Sequence, residues 1–479
     1  MKDLLQKYQP TIGIEIHCQL ATKSKLFCRC KRESGSQQEP NQHTCEVCLG
    51  LPGALPQTND HAVWQAIRFA TAVKSKVNKH SYFMRKQYFY PDLPKGYQIT
   101  QLSHPVGMGG TVELPSGGSV LLDRVQIEED AGKIIHKGED SLVDLNRAGT
   151  PLIEIVSAPD MHSIDEALEY VKTIYKLVRF HQISDANMEK GNFRMDLNIS
   201  LSPVGYSELG VRCEIKNVNS FRFAEKAMNY EMRRQFDILE QKQTVIQQTR
   251  GYDPDSDTTF AMRDKEDAHD YRYFDDPDLP VLDCSSQLEK DLDIEVDPLE
   301  AQKEFLKLGL NEETASYFCE SKPNYHYLKD CEQNLKNKKN LGKLSAFFMT
   351  EIKSKQENSE EIGSEKSFEA KKLAEIFDLV DEGVLSSKTA KKAAALSIEN
   401  NELSILEIAK TNGLIQVQDE SKIREVIQDI LDKNPKQLEE YRGGKTKLKG
   451  FFVGQIMKAS SGNFSPSIVQ KTLDELLNA

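Results

Sequence analysis

Strict alternation of apolar and polar residues near the N-terminus constrains the fold of this chain more than any other feature. Between residues 11 and 20, Ile12, Ile14 and Ile16 share one face of an extended strand, and Glu15 and His17 share the other. Each strand residue advances about 3.3 Å, so these two polar side chains lie roughly 6.6 Å apart along the strand. The pattern predicts a half-buried strand that points an acid and an imidazole in the same direction.

Single acids recur on four further strand-like runs, at residues 122–129, 151–156, 194–201 and 211–215. A solvated outer face would give the same pattern, and that alternative stays open. If the acids converge, their mutual repulsion requires a cation, and oxygen ligands with at most one imidazole favour Mg²⁺ or Mn²⁺ over Zn²⁺. A magnesium site of this kind handles phosphates. The candidate acids on these runs or at their ends are Glu128, Glu129, Asp130, Glu154, Asp196 and Glu214.

The first part of the chain, up to about residue 280, has the pattern of an α+β fold. Alternating runs separated by Gly, Pro and Asn turns indicate mostly antiparallel strands. Apolar residues at three- and four-residue spacing predict helices at 62–73, 163–180 and 224–241.

The later part of the chain is rich in Lys and Glu and predicts helices. Residues 352–366 have few apolar side chains and indicate an exposed connection, whereas 423–431 predicts a short helix. Ser465 and Pro466 are typical of the N-cap and first turn of a last helix. These changes of pattern place predicted domains at residues 1–290, 291–412 and 413–479.

Composition narrows the class of protein. The chain has 479 residues, a net charge of −12 and 38% hydrophobic residues, which is an ordinary globular balance with material for a sizeable core. No run approaches the roughly 20 apolar residues of a membrane helix, and no stretch of signal-peptide character opens the sequence. We therefore expect a soluble, cytoplasmic protein with no membrane contact. The acidic balance argues against a general polyanion binder but allows a local basic surface.

Four closely spaced cysteines predict a structural metal site. Cys28 and Cys30 form a CxC pair, and Cys45 and Cys48 form a CxxC pair after a spacer rich in turn residues. Four thiolates are the usual ligands of tetrahedral structural zinc and leave no open position for catalysis. The alternative is four unrelated buried thiols.

Residues 85–98 combine aromatic, basic and proline residues in one loop. Such a loop can stack on a nucleotide base or ribose, which makes Lys86, Tyr88, Tyr90 and Lys95 candidates for nucleotide binding. A packed aromatic loop without a ligand would look the same.

The tail carries a basic window without acids. Between Tyr441 and Gln470 the sequence contains five basic residues and no Asp or Glu, which fits contact with a phosphate backbone. A solvated basic surface is the alternative. The glycines at 443 and 444 do not have the spacing of a phosphate-binding loop, because Glu439 stands where its first glycine belongs. The basic residues of the window are Arg442, Lys445, Lys447, Lys449 and Lys458.

Seven strings of this sequence resemble the B subunit of the bacterial and organellar tRNA-dependent amidotransferase. The resemblance runs nearly end to end, and strings of this length and rarity do not coincide by chance. The strings are IGIEIH at 12–17, YFYPD at 88–92, IEEDAGK at 127–133, VDLNRAGTPLIEIV at 143–156, EIKNVNSF at 214–221, HDYRYF at 269–274 and VGQIMK at 453–458.

The resemblance implies a three-subunit enzyme that converts Glu-tRNA(Gln) to Gln-tRNA(Gln) and, in many organisms, Asp-tRNA(Asn) to Asn-tRNA(Asn). The B subunit of that family phosphorylates the misacylated side-chain carboxylate with ATP, and ammonia then displaces the phosphate. The amidase (glutaminase) subunit supplies the ammonia through a channel, and a small C subunit completes the complex. The sequence does not say whether Asp-tRNA(Asn) is a substrate of this chain.

The resemblance also implies a fold and a set of site residues. The family has a cradle-shaped α+β catalytic domain, a helical domain and a small helical tail that contacts tRNA, and some members hold zinc at the four clustered cysteines. Carried over by position, the ligands of the catalytic Mg²⁺ are Glu15, His17, Glu129 and Asp196, with Glu154 and Glu214 close by.

One segment departs from the family pattern. Where the family usually has an acid and a small hydroxyl residue before Arg-x-Asp-x-Asn, this chain has Lys190 and Asn192. Asp196 is retained, so the metal prediction stands, while nucleotide contacts of this loop are left open.

Two other classes of function compete with an ATP-dependent amidotransferase subunit. One is a non-catalytic tRNA-binding scaffold of the same complex, and the other is a zinc-ribbon regulator that uses the cysteines to recognise nucleic acid.

Overall fold

The computed structural model describes residues 2–32, 39–264, 270–353, 368–399, 402–417, 419–460 and 464–478. The chain divides into two compact units, residues 1–299 and 300–479. This division lies close to the predicted change of pattern near residue 290. The further boundary at residues 412 and 413, and the cradle shape of the first domain, remain predictions.

A large mixed sheet organises the first unit. Its strand order is β15-β14-β13-β12-β1-β11-β8-β6-β2, with β7 paired to β8, and every pair is antiparallel except β13 with β14. Three smaller sheets pair β9 with β10, β4 with β5 and β16, and β3 with β17. The strands are β1 Tyr8–Gln19, β2 Lys76–Val77, β3 His80–Ser81, β4 Met84–Gln87, β5 Tyr97–Thr100, β6 Gly107–Met108, β7 Thr111–Glu113, β8 Ser119–Glu129, β9 Lys133–Lys137, β10 Asp140–Asp144, β11 Pro151–Ser157, β12 Phe193–Pro203, β13 Cys213–Val218, β14 Gln248–Asp253, β15 Thr258–Asp264, β16 Phe274–Asp275 and β17 Leu282–Asp283.

Alternation along β1 separates the core face of this sheet from a polar face. Ile12, Ile14 and Ile16 are fully buried in a core cluster that also contains residues of the long helices. The side chains between them point the other way, as the sequence predicts. The polar face of β1 and its neighbours is therefore free to carry the acids.

Five helices lie in the described residues of the first unit, and the long ones begin at side-chain caps. Asn59, Ser163 and Ser220 accept backbone N–H groups at the starts of the second, third and fourth helix, which satisfies groups that a helix leaves unpaired. The predicted helices are confirmed to within a few residues at each end. The helices are α1 Lys2–Lys7, α2 Asp60–Ala72, α3 Ile164–Phe180, α4 Phe221–Glu240 and α5 Ser285–Leu288.

The second unit is helical in its described residues, as the sequence predicts. Ser465 immediately precedes the helix that starts at Pro466, while most of the predicted connection at 352–366 lies outside the described residues. The α-helices are Pro298–Lys307, Glu312–Phe318, Lys322–Asn334, Leu341–Phe347, Ala370–Asp381, Ser387–Glu399, Ile405–Thr411, Glu420–Lys433, Pro435–Arg442, Lys449–Ala459 and Pro466–Asn478. Shorter turns are 3₁₀ at Lys338–Asn340 and Thr446–Leu448, and a π-type turn at Phe348–Ile352.

The last helices share a hydrophobic cluster of their own. Ile423, Ile427, Phe452, Ile456 and Leu473 are fully buried there. Among the described residues, no helix is both long and apolar enough to cross a bilayer.

Candidate active site and cysteine cluster

Strand register brings the predicted site residues onto one polar face. His17 on β1 lies opposite Glu154 on β11, and Glu15 lies opposite Asp196 on β12. On the next strand out, Glu214 of β13 lies opposite Asn198 of β12. Paired residues in antiparallel strands project to the same side of a sheet, so these side chains share one surface.

Three side chains on this face form a compact set of metal-ligand atoms, which we call the ligand triad: His17, Glu128 and Glu154. The Nε2 atom of His17 lies 3.6 Å from Oε1 of Glu128 and 3.9 Å from Oε2 of Glu154, and all three donor atoms fall within 4.8 Å of one another. The two glutamates are buried and His17 is partly exposed. One imidazole and two carboxylates at this spacing fit a divalent cation of the Mg²⁺ or Mn²⁺ type.

Electrostatics within the triad also favour a cation. Burial raises the pKa of Glu128 to about 7, and repulsion by Glu154 adds to the effect. Burial alone would lower the pKa of His17, but the neighbouring carboxylates of Glu154 and Glu128 outweigh it and raise that pKa overall. A bound cation would relieve the repulsion between the two carboxylates.

Glu129, the ligand that the resemblance implies on β8, lies on the other side of this strand. Successive side chains of a strand point to opposite faces, so Glu129 shares its face with the buried Val125 and Ile127. Its carboxylate is ion-paired with Lys95 and accepts the backbone N–H of Ile99 at 3.0 Å. Its neighbour Glu128 is the acid that lies beside His17 and Glu154, and the role of Glu129 as a metal ligand stays a prediction.

A second group of acids continues the polar face beside the triad. Lys216 bridges Asp196 and Glu214, with its Nζ 3.2 Å from an oxygen of each. Glu15 accepts a hydrogen bond from Nδ2 of Asn198 at 3.2 Å. Burial raises the pKa of Glu15, and the carboxylates of Glu154, Glu214 and Asp196 raise it further.

The aromatic loop contributes one cation to the site. The ammonium of Lys86, at the end of β4, lies 4.8 Å from the ring centre of Tyr271 and 6.0 Å from that of Tyr88. Burial opposes the charge of this ammonium, but Glu128 and other nearby groups raise the pKa of Lys86 overall, which keeps the ammonium charged. Tyr90 is exposed and Lys95 is engaged by Glu129. Of the four predicted nucleotide contacts, Lys86 and Tyr88 are thus half-buried neighbours, and their role toward a nucleotide stays a prediction.

Sequence patterns missed a buried ion-pair network at the far end of the same face. Asp130 accepts hydrogen bonds from Arg194 at 3.0 Å and from Gln19 at 3.1 Å, and Arg147 lies 3.7 Å away. Burial would raise the pKa of Asp130, but the two guanidinium groups lower it overall. Asp130 is among the acids that the sequence pattern indicates, but its partners Gln19, Arg147 and Arg194 come from distant parts of the chain and leave no local signal.

The four clustered cysteines meet at tetrahedral distances. The Sγ of Cys48 lies 3.7 Å from that of Cys28, 3.9 Å from Cys45 and 4.0 Å from Cys30. Zn–S bonds of about 2.3 Å in a tetrahedron separate the sulfurs by about 3.8 Å, so this donor set fits zinc. The S–H of Cys28 and the nearby ammonium of Lys25 lower the pKa of Cys48 to about 4, against the effect of burial. The alternative of four unrelated thiols does not fit this geometry.

The segment that departs from the family pattern plays a structural part. Asn192 is buried and donates from Nδ2 to both carboxylate oxygens of Asp185, at 2.9 and 3.1 Å. Lys190 is exposed and its backbone N–H donates to Asn187. Nucleotide contacts of this loop stay untested.

The basic residues of the tail differ in their partners. Lys445 pairs with Glu440 and Lys449 pairs with Asp474. No ion pair is formed by Arg442, Lys447 or Lys458 within the described residues. These three are therefore the charges available to an external phosphate.

Comparison with known proteins identifies the class to which this fold and site belong. A family model described as the GatB/GatE catalytic domain matches residues 10–290, and a second, described as the GatB domain, matches residues 329–477. The site thus lies in a catalytic domain of this type.

Full-length relatives narrow the class to one protein family. A protein of Campylobacter hominis is 42% identical, covering 98% of this chain and 100% of the relative. Relatives from Trichlorobacter lovleyi (43%, 98% and 99%) and Persephonella marina (42%, 98% and 100%) are similar. Each is named as the B subunit of an aspartyl/glutamyl-tRNA(Asn/Gln) amidotransferase. The chain belongs to this family of amidotransferase B subunits, which confirms the resemblance seen in the sequence.

Proposed function

We propose that this chain catalyses the ATP-dependent activation step in the amidation of misacylated tRNA. It phosphorylates the side-chain carboxylate of Glu-tRNA(Gln), and of Asp-tRNA(Asn) where that tRNA is present, and ammonia then displaces the phosphate. A free carboxylate is a poor electrophile, and conversion to an acyl phosphate supplies a good leaving group. The observation that carries this proposal is the ligand triad, which lies within the domain matched by the catalytic family model.

The triad residues would hold a divalent cation, and Lys86 would stand opposite them. When bound, Mg²⁺ neutralises developing charge on the transferred phosphoryl group. His17, Glu128 and Glu154 would orient its coordination, while Glu15, Asp196 and Glu214 line the approach to it. The Lys86 ammonium, held over Tyr271, supplies a fixed positive charge for phosphate oxygens.

The proposed assembly has an amidase subunit as the ammonia source and a small C subunit, and it acts in the cytoplasm. Membership in a family of B subunits supports an assembly of several subunits. The direct test incubates the purified complex with Glu-tRNA(Gln), ATP, Mg²⁺ and ammonium, and measures Gln-tRNA(Gln). Product that requires every component supports the proposal. The competing function is a non-catalytic scaffold. If the chain were only a scaffold, substitution of the triad residues would leave the yield of Gln-tRNA(Gln) unchanged.

The cysteine cluster leads to a prediction about bound metal. Cys45→Ser is expected to reduce zinc in the purified chain from about one ion to a small fraction, because a three-thiolate site loses a strong ligand. Elemental analysis by mass spectrometry measures the content. Cys319→Ser changes a cysteine outside the cluster and is expected to leave zinc unchanged. Stoichiometric zinc in Cys45→Ser, or its absence from the unaltered chain, contradicts the zinc assignment.

The unpaired tail cations lead to a prediction about tRNA affinity. Changing Arg442, Lys447 and Lys458 together to alanine is expected to weaken tRNA binding about tenfold or more at low salt and to reduce the salt slope by about two to three. Filter binding over a salt series measures both. The control, Lys433→Ala, removes a lysine already paired with Asp429. Equal slopes for the triple variant and the control would exclude phosphate contact by this tail.

A further inference from the structure

A fully buried lysine lies against the cysteine cluster. Lys25 exposes none of its surface, and its ammonium donates hydrogen bonds to Sγ of Cys48 at 3.3 Å and to the backbone carbonyl of Leu145 at 3.1 Å. The backbone N–H of Lys25 donates to the carbonyl of Cys30 at 3.0 Å, which fixes the lysine beside the cluster. Lysine is almost never fully buried unless a group of opposite charge lies next to it.

The group that compensates the charge of Lys25 is the cysteine cluster. Within the described residues no carboxylate forms an ion pair with this ammonium, whose partners are a sulfur and a carbonyl. A neutral thiol is only a weak acceptor, so it would leave a buried charge without compensation, at a high cost in free energy. Thiolate is also the form of cysteine that binds metal, and Zn²⁺ with four thiolates keeps an excess of negative charge. The buried lysine therefore fits a cluster that holds a metal.

The 143–149 segment, which supplies the carbonyl of Leu145, is held by the loop that carries the cysteines. Asn41, in the spacer between the two cysteine pairs, accepts the backbone N–H of Leu145 at 2.7 Å. Further along the segment, the carbonyl of Gly149 accepts the N–H of Leu26 at 2.8 Å. The ammonium of Lys25 adds a side-chain bond between the same two regions, and its other bond reaches a metal ligand.

The same segment leads to the buried acid at the far end of the catalytic face. Arg147 lies 3.7 Å from Asp130, and the N–H of Gly149 donates to the backbone carbonyl of Asp130 at 2.9 Å. Asp130 in turn accepts a hydrogen bond from Arg194 of β12. The position of this ion-pair network therefore depends on how firmly the 143–149 segment is held.

We propose that Lys25 is a positioning residue that couples metal at the cysteine cluster to the order of the 143–149 segment. Its ammonium stabilises the thiolate of Cys48 and holds the carbonyl of Leu145 with a second hydrogen bond. When the metal leaves, the bonds that tie Cys48 to the other three cysteines are lost, so the lysine loses its fixed anchor and the segment opens more often. The inference rests on zinc at the cysteine cluster and does not depend on the ATP-dependent step.

Lys25→Met tests the lysine, because it keeps the length of the side chain and removes the ammonium. Competition for zinc between the full-length chain and a coloured chelator, 4-(2-pyridylazo)resorcinol, measures the metal affinity. Lys25→Met is expected to bind zinc about tenfold or more weakly than the unaltered chain, because a group that hydrogen-bonds to a metal ligand contributes to metal affinity on this scale. The matched control is Lys31→Met, which removes an exposed lysine from the same loop.

Cobalt supplies a measurement that a purely space-filling role of Lys25 would not change. Co²⁺ bound by thiolates absorbs light by charge transfer from sulfur to metal, and a hydrogen bond to the sulfur lowers the energy of the sulfur electrons. Loss of the N–H···S bond in Lys25→Met is therefore expected to shift this absorption to longer wavelength. Lys31→Met is expected to leave the absorption unchanged.

Hydrogen exchange followed by mass spectrometry measures the order of the 143–149 segment. Its backbone amides are expected to exchange several-fold faster in Lys25→Met, and also in the unaltered chain after a chelator has removed the zinc. Peptides from the last helix, Pro466–Asn478, belong to the other compact unit and are expected to keep their exchange rates.

The coupling requires that the metal measurements and the exchange change together in Lys25→Met. A change in only one of them, or none relative to Lys31→Met, overturns the inference. If Lys25→Met does not fold, the unaltered chain decides: equal exchange of the segment with and without zinc overturns the coupling, and faster exchange without zinc supports it. A chain that binds neither zinc nor cobalt refutes the metal assignment together with this inference, and the ATP-dependent step is then judged by phosphate release alone.

Discussion

Glu128→Gln is expected to lower the rate of tRNA-dependent phosphate release by about 10²- to 10³-fold. The substitution keeps the size of a side chain whose Oε1 lies 3.6 Å from the imidazole of His17, but removes the charge that would make it a ligand of the proposed metal. Binding of tRNA, which depends on other surfaces, is expected to persist. The measurement is phosphate release by the purified complex at saturating ATP, Mg²⁺ and Glu-tRNA(Gln).

Glu129→Gln is the matched control, because it makes the same change one residue further along the same strand. Glu129 pairs with Lys95 on the core side of β8, so its loss is expected to act on stability and to leave phosphate release within about tenfold of the unaltered rate per folded complex. The reverse result, with Glu129→Gln inactive and Glu128→Gln active, would favour Glu129 as the metal ligand, as the family resemblance implies.

Glu231→Ala is expected to destabilise the first unit by about 3–5 kcal/mol, because it leaves buried guanidinium groups without their counter-charge. Glu231 on α4 is fully buried. Its carboxylate accepts hydrogen bonds from Arg234 at 2.6 Å and from Gln235 at 2.9 Å. The same carboxylate lies 3.5 Å from the guanidinium of Arg250 on β14. The ion pair between Glu231 and Arg250 therefore links α4 to β14, one of the outer strands of the sheet.

The single tryptophan of the chain, Trp64, lies on α2 of the first unit and reports its unfolding by fluorescence. A urea titration of Glu231→Ala is expected to show a clearly lower midpoint than the unaltered chain. Glu225→Ala removes an exposed glutamate from the same helix and is expected to leave the midpoint nearly unchanged. Coinciding midpoints for the two variants would show that the buried pair is dispensable.

Local patterns in the sequence predicted the strands and the polar face of the site well. Period-two alternation places Glu15 and His17 on one face of β1, and the register of β11 and β12 brings Glu154 and Asp196 beside them. The helical pattern after residue 290 likewise matches the described part of the second unit. Strands and helices depend mainly on residues that are close together in the chain, so their periodic patterns are visible in the sequence.

Similarity by position does not by itself distinguish Glu128 from Glu129 as the residue on the polar face. Two adjacent acids end β8, and a similarity by position does not say which one faces the metal. The buried Val125 and Ile127 set the phase of the strand and assign the polar face to the even-numbered residues. This phase is present in the sequence, and it favours Glu128 where the resemblance implies Glu129.

Other features of the structure depend on contacts between residues that are distant in the chain, and no local sequence pattern predicts them. The pairing of Glu231 with Arg250 joins residues of different elements, and no periodicity marks either of them. Likewise, the tail sequence gives five basic residues, but only the folded chain shows that Lys445 and Lys449 are already paired. The contact between Lys25 and the carbonyl of Leu145 is also a product of packing, because the two residues are distant in the chain.

The measurement that tests the central claim most directly is phosphate release from ATP by this chain in complex with the proposed amidase and small C subunits. Release is measured with and without Glu-tRNA(Gln), and with and without Mg²⁺. The account predicts release only when both are present, and its loss in Glu128→Gln. A folded complex that binds tRNA but shows no tRNA-stimulated release would contradict the kinase step and would favour a tRNA-binding scaffold.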